Sequence, residues 1–156
     1  MQDDGIRKAG EQAEALFRNG LNCAESTLKA TADYLGIQSE LIPRIATPFG
    51  AGIARTQNIC GVVTGGAMAI GVAVGRDIPN GDRATADALT AEYLRWFSQR
   101  NGSLLCCDVS GVDFTDEEQS KAFRAPGGGH DAICTPVVVE ATMYLCEKLQ
   151  EKRRIL

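Results

Sequence analysis

A chain of 156 residues, 44% of them hydrophobic, with sixteen Lys and Arg against twenty Asp and Glu, is long enough to bury a core without disulfide staples and reads as one domain, residues 1–156. The net charge of -4, with Lys152, Arg153 and Arg154 as the one basic run, excludes the electrostatic footprint of a nucleic-acid binder. Acids at Asp3 and Asp4 stand where a secretory leader needs a basic and then an apolar run, and no lipidation motif is present, so the expected location is cytoplasmic.

In chain order, Ile6, Ala9, Ala13, Leu16 and Phe17 share one face of a first helix that Gly20 ends. Asn22 and Glu25 have the spacing of a capping box, so a second helix is predicted to begin at Asn22 and to run to Gly36, with Cys23 in its first turn. Ser39 is predicted to start a short third helix through Ile45, with Pro43 near its first turn. The connection from Thr47 to Gln57 is irregular and carries glycines. It lacks both GxxxxGK[ST] and GxGxxG, so it is no phosphate loop. Arg55 is the one nearby cation able to stabilise a thiolate or an anionic cofactor.

The stretch from Asn58 to Gly75 is uncharged and built of small residues. Gly61, Gly65 and Ala69 recur every four residues, so one face of this helix is nearly bare backbone that a neighbour can approach closely. Glycines cost roughly 1 kcal/mol each in a helix, so tertiary packing must hold it. It is too short and too rich in Gly and Ala for a membrane span and reads as the central buried helix. Cys60 sits at its start, where unpaired N–H groups and the macrodipole favour a thiolate. An open glycine-lined face would invite a second copy, hence a homodimer.

After a polar turn, Asp82 caps a long helix whose Leu89, Tyr93, Trp96 and Phe97 form a core stripe, closed by Asn101 and Gly102. The turn from Ser103 presents the adjacent Cys106 and Cys107. Their side chains point in different directions, and spacing alone does not choose between them. Thr115 and Glu118 read as a capping box for a short charged helix ending before Pro126. The loop that follows carries His130, the sole histidine. Thr135 as N-cap and Pro136 at the first helical position start the last helix, which puts Cys134 at a helix entrance as well. Cys146 lies mid-helix, as a core cysteine does.

These signals predict an all-α, single-domain bundle of about six or seven helices around the central Gly/Ala-rich helix. Six cysteines in a reducing compartment speak for metal or redox chemistry. No CxxC pair occurs, so any shared site must gather thiols from distant segments. HExxH and the nucleophile elbow are both absent, which argues against a hydrolase.

The order of NCA at Asn22, CGVVTG at Cys60, GSLLC ending at Cys106, and Cys134 heading the terminal helix resembles the redox-active protein family named for its pattern C_GCAxxG_C_C. The likeness covers nearly the whole chain. It departs at Val62, where the motif has alanine, and at Cys107, which follows Cys106 where the family often has a basic residue. The resemblance implies that Cys23, Cys60, Cys106 and Cys134 are the redox or metal-binding thiols, with Gly61 and Gly65 as motif glycines, and it leaves out Cys107 and Cys146; Cys107, His130 and Arg55 stand as additional candidates from the residues alone. It implies an iron–sulfur cluster and an oxidoreductase or electron-transfer partner. Two further readings stay open: metal-free thiol–disulfide exchange between pairs such as Cys23 and Cys60, and a zinc-bound or structural interaction module.

Overall fold

The Asp3 carboxylate accepts a hydrogen bond from the Gly5 N–H at 2.9 Å and so starts α1 (Asp4–Arg18) in a computed structural model that describes residues 3–155. Residues 1, 2 and 156 of the expected domain lie outside the described residues. The described chain is all-α and forms one domain, with α2 (Cys23–Tyr34), α3 (Gly61–Val74), α4 (Ala84–Asn101), α5 (Cys106–Ser110), α6 (Glu117–Arg124) and α7 (Thr135–Ile155) following in order. A 3₁₀ segment, Arg44–Phe49, and a π-turn, His130–Cys134, complete it. Among the described residues none of these helices is long and apolar enough to cross a membrane.

The capping box of α2 is formed in full. Asn22 Oδ1 accepts from the Glu25 N–H at 2.9 Å, and Glu25 Oε2 accepts from the Asn22 N–H at 2.8 Å. The same two side chains reach outward. Asn22 Nδ2 donates to the Thr47 carbonyl, and the Thr47 hydroxyl donates to Glu25 Oε1. One cap therefore fixes both the start of α2 and the 3₁₀ segment beside it.

Helix α3 lies against α2, α4 and α7, with Val62, Val63, Ala69 and Ile70 buried. The bare face is used as its spacing suggests. A Cβ on Gly65 would overlap the carbonyl oxygen of Ala24 in α2, and a Cβ on Gly61 would overlap the Cys23 sulfur. Tyr93 of α4 is fully buried over the opposite side, and its hydroxyl donates to the Val62 carbonyl at 2.8 Å. Because α2 of the same chain fills the glycine face, the argument for a homodimer through that face falls. Only the far end of α3, at Gly71 and Val72, stays exposed.

Three local readings need correction. The short helix predicted from Ser39 to Ile45 is a turn followed by 3₁₀ structure from Arg44, because Pro43 keeps the residue before it out of the α region. The cap of α6 is Asp116, whose carboxylate accepts from the Gln119 N–H at 3.0 Å; Thr115 instead donates to Asp113. The last α-helix begins at Thr135 as expected, but a π-turn from His130 to Cys134 runs directly into it, so Thr135 is its first helical residue and no N-cap, its hydroxyl donating to the His130 carbonyl at 3.0 Å. In a regular α-helix the Pro136 ring would meet the carbonyl of Ala132, and the wider π-turn relieves that clash.

Candidate functional site

Four segments deliver a thiol each to one cavity of about 480 Å³. Cys23 comes from the first residue of α2, Cys60 from the N-cap of α3, Cys106 from the first residue of α5, and Cys134 from the end of the π-turn. Backbone pairing brings two of these together. Ile59 and Leu105 form an isolated antiparallel bridge, in which the Cys60 N–H donates to the Leu104 carbonyl at 2.8 Å and the Cys106 N–H donates to the Asn58 carbonyl at 2.7 Å. Cys23 is brought in by the close α2–α3 approach, its sulfur lying against Gly61.

Cys60 and Cys106 are buried, whereas Cys23 and Cys134 are half-buried and keep open surface on the cavity. Burial is the largest influence on all four and pushes each thiol up from its ordinary value near 9, to about 11 for Cys106 and about 12 for Cys134. The sulfurs also raise one another, Cys60 being affected by Cys23, Cys106 and Cys134 in turn. This mutual repulsion reports their proximity. Opposing it, the nearby backbone of Ala51, Ala24 and Gly61 lowers the Cys23 thiol, that of Val62 lowers Cys60, and Ser110, whose hydroxyl donates to the Cys106 carbonyl at 2.7 Å, lowers Cys106. At Cys60 desolvation outweighs the partial charge of the helix end, so the metal-free thiol is pushed up despite its place at the start of α3.

Ala51 is held there by unusual backbone. Ala51, Gly52, Ile53, Ala54 and Arg55 all have φ between 49° and 73°. This is a left-handed turn, costing about 1–2 kcal/mol for each residue other than glycine. Gln57 anchors its end, donating to the Val112 carbonyl and accepting from the Phe114 N–H. No sequence signal announces it, since four of the five residues are not glycine.

Among the additional candidates, His130 lines the cavity, stacked on Phe17 with ring centroids 4.0 Å apart. Arg55 lines it too, its guanidinium over the Phe114 ring at 5.4 Å. Cys107 is exposed and off the cavity wall, its sulfur 3.8 Å from Asp108 Oδ1. Cys146 packs apart from the cavity with Ile6 and Ala9. Sequence reasoning missed Arg18 and Arg124, which also line the cavity. Among the described residues, no group of three or more His, Cys, Asp or Glu side chains is drawn close enough together to hold a metal ion.

Residues 21–148 match the profile of a family described as "Putative redox-active protein (C_GCAxxG_C_C)". The chain belongs to this family. The matched span contains all four cavity cysteines of this C_GCAxxG_C_C protein, and it begins just before the Asn22 cap and ends within α7. Searches of curated proteins and of solved structures find no match.

Proposed function

We propose that this redox-family protein binds an iron–sulfur cluster through Cys23, Cys60, Cys106 and Cys134 and exchanges electrons with an oxidoreductase or electron-transfer partner. The observation that carries the reading is the convergence of four thiols, from segments spread over the whole chain, on the wall of one cavity. The donor set suits such a cluster, which takes four thiolates whether it holds two irons or four and supplies one-electron transfer. Thiols this far raised hold their protons at neutral pH. Metal binding must release those protons, which ties affinity to pH. The backbone of Ala51 and Gly61, which lies beside the Cys23 sulfur and lowers its thiol, would offer N–H groups of the kind that raises a cluster potential.

The same facts weigh on the other readings. A single tetrahedral zinc would call on the same four thiols, and analysis for zinc, iron and sulfide separates it from a cluster. Thiol–disulfide exchange needs an attacking thiolate, and burial works against one at each cavity cysteine. All six cysteines are free thiols, as a cytoplasmic setting would keep them.

The test is anaerobic purification from a cluster-competent host, with an absorbance spectrum and iron, zinc and acid-labile sulfide analysis of wild type and Cys60→Ser. Brown protein carrying iron and sulfide, both lost in the variant, is the expected result. Colourless, iron-free wild type overturns the reading.

A further inference from the structure

The cavity has a second chemical character besides its thiols. Phe17, Phe114 and Phe123 give it an aromatic side, while Arg18, Arg55 and Arg124 line it with no Asp or Glu on the wall at all. In a chain with more acids than bases, that is the reverse of the average surface. Arg18 is already neutralised by Glu14 at 2.8 Å and Asp131 at 3.2 Å. Arg55 is steadied over Phe114 and lies 3.4 Å from the Ser120 hydroxyl, yet neither it nor Arg124 has a carboxylate partner among the described residues. Nor do these cations serve the sulfurs. The groups that lower the Cys106 and Cys23 thiols are Ser110 and the backbone, and nothing offsets burial at Cys134.

We infer that the arginine-lined part of this cavity binds a small organic anion with a flat apolar body, its body against the phenylalanines and its charge on Arg55 and Arg124. A volume of about 480 Å³ falls in the range of about 300–1,000 Å³ for small-molecule sites. Two guanidiniums on one wall without a carboxylate partner offer donors to a carboxylate, sulfonate or phosphate. An aromatic wall beside a cation suits a ring next to an acid group. The inference rests on the reading that the cysteine cavity is the working site, and it names the class of molecule that would meet the redox centre there.

The probes are 2-naphthylacetate and its neutral isostere 2-naphthylacetamide, titrated against the anaerobically purified protein and followed by naphthyl fluorescence anisotropy. The acid is expected to bind about tenfold more tightly than the amide. Arg124→Gln should shrink that preference, read as the ratio of acid to amide affinity, and the Arg55→Gln/Arg124→Gln double variant abolish it; Arg95→Gln, away from the cavity, should leave it intact. Equal binding of acid and amide, binding of neither, or a preference that survives the double variant overturns the inference. Iron and sulfide are measured on the same samples. An acid preference in iron-free protein would sink the cluster reading alone, and iron-loaded protein without the preference would sink this one alone.

Discussion

Replacing glycine by alanine at three positions of α3 should give opposite results within one helix. At Gly71 an added Cβ meets nothing within 4 Å. Gly71→Ala therefore collects the propensity gain of about 1 kcal/mol, which for a domain of this size raises the melting temperature by roughly 2–4 °C. At Gly65 the added carbon overlaps the Ala24 carbonyl oxygen and crowds its Cα at 2.9 Å. Backbone on α2 cannot swing aside, so the helices must separate. Overpacking of this kind costs about 1–3 kcal/mol, and after the propensity gain Gly65→Ala should still melt several degrees lower. Gly61→Ala presses on the Cys23 sulfur, and also comes within 3.0 Å of the Phe49 carbonyl oxygen. It should cost less stability than Gly65→Ala while displacing the thiol. Thermal melts of the three variants, with iron content beside them, decide the matter. If Gly61→Ala and Gly65→Ala melt as high as Gly71→Ala, the close α2–α3 approach is not what these glycines serve.

The raised thiols make the metal-free protein sensitive to alkali. Cys106 and Cys134, at about 11 and about 12, stay protonated in the fold while the unfolded chain ionises above about 9. Stability is thus flat below pH 9 and falls above it by about 1.4 kcal/mol per pH unit for each such thiol. Cys134→Ser should flatten the slope of melting temperature against pH between 9 and 11, and an unchanged slope would contradict the assignment. In the left-handed turn, Ala54 is exposed with φ 49°. Ala54→Gly should therefore raise stability by about 0.5–1 kcal/mol, whereas Ala15→Gly on the exposed face of α1 should lower it by a similar amount; chemical denaturation of both would show whether the strain is real. Under native conditions iodoacetamide should modify the exposed Cys107 first and the fully buried Cys146 last, a ranking that peptide mass mapping reads directly.

What could be read in advance follows what is local. The Asn22–Glu25 cap, the stripe of α4 and the Gly61–Gly65 face are written in spacing, and each appears in the fold as the spacing implies. The neighbourhood of Cys60 and Cys106 is different. It depends on a single two-residue bridge between Ile59 and Leu105, which are 46 residues apart in the chain, and no periodicity announces a ladder that short. Reasoning from helix ends alone could count the dipole at Cys60 but not the depth of burial that opposes it. The left-handed turn was equally hidden. Tertiary hydrogen bonds through Gln57 hold residues such as Ile53 where their own preferences would not put them. Choosing between Cys106 and Cys107 likewise needed the orientation of α5, which turns the first into the cavity and the second to solvent.

The most direct test of the account is iron and acid-labile sulfide per chain in the six single Cys→Ser variants, all purified anaerobically beside wild type. Loss in Cys23→Ser, Cys60→Ser, Cys106→Ser and Cys134→Ser, with wild-type content kept in Cys107→Ser and Cys146→Ser, is the predicted pattern. Wild-type content in any of the cavity variants, or loss in Cys107→Ser, would contradict the claim that these four thiols form the site.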